Sequence, residues 1–170
     1  MITRFDAPQT LHVWSLYLRA SEEARRRGDR RTGTDHILLG VLEDPSAEVL
    51  LGATVQQARH ALESLDRAAL GALGIGPDTD VPSLPMRALP KTPTIRAATR
   101  RDRPRLTPAA KKVLEDAVRP NRWKTQVTVQ QVLARILALR SPDPAAVLLG
   151  ALGVSGPEVR CRLDAVTPDS

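Results

Sequence analysis

The side chains most able to do chemistry here are three histidines, one cysteine and a set of arginines, and their spacing argues for binding rather than catalysis. His12, His36 and His60 are scattered, and Cys161 has no second cysteine or nearby histidine with which to form a disulfide or share a zinc ion. There is no Gly-x-x-x-x-Gly-Lys-Ser/Thr phosphate loop, no Gly-x-Ser-x-Gly elbow and no His-Glu-x-x-His pair. The expectation is a protein that is not an enzyme and holds neither metal nor cofactor.

Basic side chains suggest a different chemistry. The formal charge of +6 is confined: residues 1–75 carry nine basic and ten acidic side chains, whereas residues 87–105 carry seven basic and one acidic. Arg87, Lys91, Arg96, Arg100, Arg101, Arg103 and Arg105 could hold nucleic acid by counterion release, an alternative function. The run has no interleaved aromatics and lies among Pro77, Pro82, Pro85, Pro90, Pro93 and Pro104, the composition of an extended linker over 76–105. A second run, Arg25, Arg26, Arg27, Arg30 and Arg31, reads as a solvated helix end whose cations complement the dipole.

The elements that would position these residues repeat. Val-Leu-Leu-Gly-Ala occurs at 49–53 and again at 147–151, the mark of an internal duplication. Capping signals divide each half into four helices. In the first half, one helix runs from Thr10 to Arg27 and stops at Gly28, and a second starts near Thr34 and runs to Pro45. A third covers Ser46 to Leu51, and a fourth opens with the Thr54/Gln57 capping box and reaches about Leu73. In the second half, Thr107-Pro108 opens a helix that ends before Pro120. Thr128/Gln131 opens the next through Leu139, Asp143-Pro144 the third, and Ser155/Glu158 the last, ending near Val166.

The expected fold is all-α: two four-helix repeats, residues 8–75 and 106–166, packed with pseudo-twofold symmetry and joined by the Pro/Arg-rich linker 76–105. Four helices alone are near the lower size limit for a stable core. With 42% hydrophobic residues among 170 and no apolar run long enough to span a bilayer, no membrane association is expected. Nothing at the N-terminus resembles an export signal, so the expected location is cytoplasmic.

One helix has two apolar faces. On the first helix Val13, Leu16, Tyr17, Ala20 and Ala24 form one stripe, and Leu11, Trp14 and Leu18 form another roughly 140° around. If the first stripe packs inside its own repeat, the second meets the other repeat or lines a groove, where Trp14 would be the anchor.

Ala20–Arg25, Gly33-Thr34-Asp35-His36 with the apolar run to Leu42, and Leu106–Glu115 together resemble the duplicated N-terminal domain of the Clp unfoldases, especially the ClpC type, in order and spacing. Family members continue into ATPase modules, whereas this sequence is expected to be a stand-alone, monomeric N-domain. The resemblance implies partners among Clp adaptors, protein substrates or Clp unfoldase components, and peptide-like small molecules such as cyclic peptide antibiotics. It implies modulation of Clp-dependent proteolysis, or a decoy role. It places the ligand groove at Trp14, Leu18 and Ser21 of the first helix with Leu106, Lys111 and Glu115 of the fifth. It also implies a phosphoarginine-type site at Thr10 and Asp35. The second repeat offers Gln130 where the acid should be, and Leu106 stands where the family has Phe.

Overall fold

A computed structural model describes residues 10–75, 104–120 and 126–166. Among them the first half forms β1 (Thr10–His12), α1 (Val13–Arg27), β2 (Arg31–Thr32), α2 (Thr34–Leu42), α3 (Pro45–Leu51) and α4 (Val55–Ala72). The second forms β3 (Arg105–Leu106), α5 (Pro108–Val118), β4 (Gln126–Thr128), α6 (Val129–Ile136), α7 (Pro144–Ala151) and α8 (Gly156–Val166). The protein is all-α, with strands of only two or three residues leading into the helices. Of the linker expected over 76–105, residues 76–103 lie outside the described residues, while Pro104 and Arg105 join the folded second half.

Local hydrogen bonds explain where the helices begin and end. Gly28 closes α1 in the left-handed conformation, φ 78°. The amide of Gln57 donates to Thr54 Oγ1 (3.2 Å) and that of Thr54 to Gln57 Oε1 (2.8 Å), and Thr128 and Gln131 repeat the exchange at 3.2 and 3.0 Å. Thr107 and Asp143 cap α5 and α7, each followed by proline. Helix α2 ends at Leu42, short of the expected Pro45, because Asp44 caps α3, which starts at Pro45; two other boundaries also differ from the sequence expectation. Residues Thr10–His12 are strand rather than helix, because they pair with β4 and because His12 Nδ1 caps α1 by accepting from the amide of Trp14 (3.3 Å). Helix α6 ends at Ile136 because the next amides, of Ala138 and Leu139, bond three residues back instead of four.

All nine residues of α2 are buried, as a helix at the centre of a core requires. It packs against α1, α3 and α4 of its own half and against α5, α6 and α7 of the other. Contacts between the halves come in exchanged pairs: α2 on α7 with α3 on α6, and α3 on α8 with α4 on α7. The strand pairs cross over too, β1 with β4 antiparallel and β2 with β3 parallel. Thr34 donates its hydroxyl proton to Asp143 Oδ1 (2.7 Å), and Arg162 reaches the carbonyl of Leu50 (3.1 Å). One apolar cluster therefore draws on both halves, from Leu16, Ile37 and Leu42 to Leu133, Ile136 and Leu148.

The repeated pentapeptide buries the same pair in each half, Leu50 and Leu51 in α3 and Leu148 and Leu149 in α7, and exposes Val49 and Val147. Its ends differ. Gly52 terminates α3 at φ 69°, whereas Gly150 stays helical and the left-handed turn falls at Gly153, φ 68°. The residues after the repeat account for the difference: Thr54 must cap α4 at once, while Leu152 lets α7 finish its turn.

Gly40 lets α1 and α2 approach closely. A Cβ there would lie 3.0 Å from the backbone nitrogen of Ala20 and 3.3 Å from Arg19 Cβ. Alanine is the better helix former, by about 1 kcal/mol, yet Gly40→Ala is expected to destabilise by about 1–3 kcal/mol because rigid backbone must move. Urea denaturation checks this, and a stabilised variant would show that the helices separate freely.

Candidate functional site

The face of α1 turned away from α2 carries Trp14 and Leu18 one turn apart, with Ser21 a further turn on at its edge. Trp14 is 42% exposed, and its ring lies 5.2 Å from that of Tyr17 at a tilt of 39°. Tyr17 in turn donates its hydroxyl proton to the carbonyl of Pro104 (3.4 Å). The indole is thus held on a braced aromatic pair instead of swinging free. Leu18 is half-buried beside it. Ser21 departs from expectation: it is buried, at 2% exposure, and its Oγ has no hydrogen-bond partner among the described residues. At its helical angle it sits between the two stripes of α1, on the flank that turns inward.

From the second half, Leu106 is half-buried against the core in β3. That strand is held to the first half by pairing with β2, by the amide of Thr107 on the Thr32 carbonyl (2.9 Å) and by Thr32 Oγ1 on the Pro104 carbonyl (3.2 Å). Lys111 and Glu115 are exposed on α5 and pair with each other at 3.5 Å. An exposed pair of this kind contributes little to stability and stays open to solvent and to ligands. The expected groove residues therefore divide into an aromatic patch on α1, a half-buried Leu106 joined to it through Pro104, and a charged pair one helix further on.

The Thr10 and Asp35 pair looks different in three dimensions. Thr10 is exposed at the start of β1, in register with Thr128. Asp35 is buried at the N-terminus of α2, with Arg27 at 3.3 Å and His36 Nδ1 at 3.2 Å. Burial alone would raise its pKa, but His36 and Arg27 outweigh that and hold the carboxyl below the usual carboxylate range. Arg27 also reaches Asp66 (2.7 Å) and Asp29 (3.6 Å). Asp35 is thus already occupied by an internal guanidinium, which a ligand's guanidinium would have to displace. Its counterpart Gln130 is half-buried, and its Oε1 lacks a hydrogen-bond partner among the described residues.

His36 has a capping role that residue type alone did not reveal. Its Nδ1 accepts from the amide of Gly33 (2.9 Å), the contact Gln57 and Gln131 make at their own N-caps, and its Nε2 lies 3.0 Å from Asp29 Oδ2. A Cβ at Gly33 would meet Asp35 Oδ1, so a side chain there would push the carboxylate aside.

Two clefts lie elsewhere. One of about 590 Å³ between α1 and α4 is lined by Glu23, Arg26, Arg59, Glu63 and Asp66 among others, and one of about 510 Å³ lies between α4 and the end of α7, beside His60, Leu65 and Leu152. Among the described residues no group of three His, Cys, Asp or Glu is placed to hold a metal ion, and no helix is long and apolar enough to cross a membrane.

Comparison with curated proteins finds no match. The family model of the Clp repeat (R) N-terminal domain matches residues 9–152, from the residue before β1 to just past α7, and so spans both halves and every expected groove residue. With the order of helices, the duplicated caps and the Gly-Thr-Asp-His start of the central helix, that match leads to one conclusion: this chain belongs to the Clp repeat N-terminal domain family.

Proposed function

We propose that the chain is a non-catalytic cytoplasmic binding module whose working surface is the Trp14–Leu18 face of α1, with Leu106, Lys111 and Glu115 at its far side. Its ligands in this reading are Clp adaptors, protein substrates or peptide-like small molecules, cyclic peptides included. By holding them the module modulates Clp-dependent proteolysis, or withdraws them as a decoy, which needs only affinity and abundance. The observation that carries the reading is Trp14 itself, 42% exposed yet fixed against Tyr17. A rigid, open aromatic loses little entropy on binding and offers much apolar area, the profile of an interface hot spot.

The test uses the protein as bait in nuclease-treated extract of its own cells at moderate salt, with parent and Trp14→Ala compared by mass spectrometry. Trp14→Ala is expected to cost at least about 2 kcal/mol of binding, some thirtyfold in affinity, to any captured Clp component, adaptor or substrate. Because Trp14 lies on the surface, the melting temperature should hardly change. Equal capture by both proteins would remove this face from consideration.

A further inference from the structure

Two basic runs some 70 positions apart in the chain meet on one surface. Strands β2 and β3 pair in parallel, Arg31 opposite Arg105 and Thr32 opposite Leu106. Partners in register point the same way, and successive side chains point opposite ways. Thr32 is buried and Leu106 half-buried, so they face inward, and the exposed Arg31 and Arg105 face outward together, about 4.8 Å apart at the backbone. Arg30, next in the chain, is exposed as well.

None of these three guanidiniums has an acidic partner among the described residues. The nearby acids are taken: Glu22 by Arg25, Glu23 by Arg26 and Arg59, and Asp29 by Arg27 and His36. Like charges in register on neighbouring strands oppose pairing. The arrangement therefore does nothing for the fold. It does lie next to the aromatic patch, because the carbonyl of Pro104, directly before Arg105, accepts from both Tyr17 and Thr32. A chain of contacts runs from Trp14 through Tyr17 and Pro104 to the strand pair.

We propose that this face takes an acidic protein segment, an apolar side chain seated on Trp14 and Leu18 with neighbouring carboxylates on Arg31 and Arg105. The inference rests on the binding face proposed above and names the class of its ligand. Paired guanidiniums offer forked donors suited to carboxylates. A polypeptide carries apolar and acidic groups a few ångströms apart, as the surface does. Nucleic acid fits less well, since counterion release to phosphates would use the guanidiniums and leave the apolar Leu18 beside Trp14 without a role.

The test pans a random decapeptide library on the full chain, then measures the best binder, its Asn/Gln twin and an oligothymidylate by fluorescence anisotropy. The expected binder has Asp or Glu within a few positions of a large apolar residue and binds about tenfold more tightly than its amide twin. Arg31→Gln/Arg105→Gln should erase that advantage, leave the twin's affinity unchanged and leave the protein at least as stable, while Trp14→Ala weakens both peptides. No acidic bias among the binders, or an acidic advantage that survives the double variant, overturns the proposal, and Trp14 dependence then still supports the face. Loss of affinity in the double variant with Trp14→Ala harmless overturns the face itself. Tighter, Arg31- and Arg105-dependent binding of oligothymidylate replaces the acidic segment with nucleic acid.

Discussion

Arg59→Met should lower the unfolding free energy by about 3 kcal/mol, toward the lower end of the range for breaking a buried ion pair. Glu23 sits on the inner side of α1 at 1% exposure. Arg59 crosses from α4 to grip it with two nitrogens, Nε at 3.1 Å and Nη2 closer still, and reaches Glu43 at 3.8 Å. The hydrogen bonds to Glu23 raise the pKa of the guanidinium against the opposing effect of burial. Take the arginine away and a buried carboxylate is left with Arg26, which is half in solvent and 3.6 Å distant. The cost is desolvation of an unpaired charge rather than loss of packing, since methionine replaces most of the volume. Glu23→Met added to Arg59→Met should therefore recover most of the loss. Urea titrations of the two single variants and the double variant measure this, and a shift under about 1 kcal/mol for Arg59→Met would mean that water reaches Glu23 after all.

The helices are legible in the sequence because their signals are local. Thr54 with Gln57, Thr128 with Gln131, Asp143 with Pro144 and Gly28 each act within four residues, and each works in the structure as its residue type implies. What escapes is non-local or uses an unusual residue. His12 caps α1 although histidine is seldom chosen for it, so residue type alone starts the helix at Thr10 instead. Gly33 has no side chain to advertise a cap, and the reciprocal bond comes from His36, whose type suggests no such role. Strands of two residues carry no alternation to detect, so nothing in the sequence pairs Arg31–Thr32 with Arg105–Leu106. That pairing turns two separate basic runs into one surface, and it draws Pro104 and Arg105 out of the linker.

The candidate site divides along the same line. Trp14 and Leu18 stand out in the sequence because a second apolar stripe on α1 has no purpose inside its own repeat, and in the structure Trp14 is exposed while Leu18 is half-buried. Ser21 does not, because a position between two stripes is assigned by whatever packs over it. Asp35 stands where the motif puts the acid, and what the motif does not reveal is that Arg27 from α1 pairs with it.

Leu148→Ala is expected to cost about 3–5 kcal/mol, and the loss should be felt in the first half as much as in the second. Leu148 is fully buried in α7, which packs against α2 and α4 of the other half. Removing its side chain leaves a cavity between helices that cannot close up without moving α2, itself buried at every position. Its neighbour Val147, 38% exposed, provides the control, since Val147→Ala should change stability by less than about 1 kcal/mol. If the two halves share one core, Leu148→Ala lowers the amide exchange protection of α2 in step with that of α6, by the full change in unfolding free energy. Protection lost from α6 to α8 while α2 keeps its own would instead describe two independently stable repeats. The distinction bears on function, because the Trp14 face meets the second half through β3 and, at the start of α1, through the pairing of β1 with β4. In one cooperative unit, the strand pairing that sets Arg105 beside Arg31 is as durable as the core beneath it.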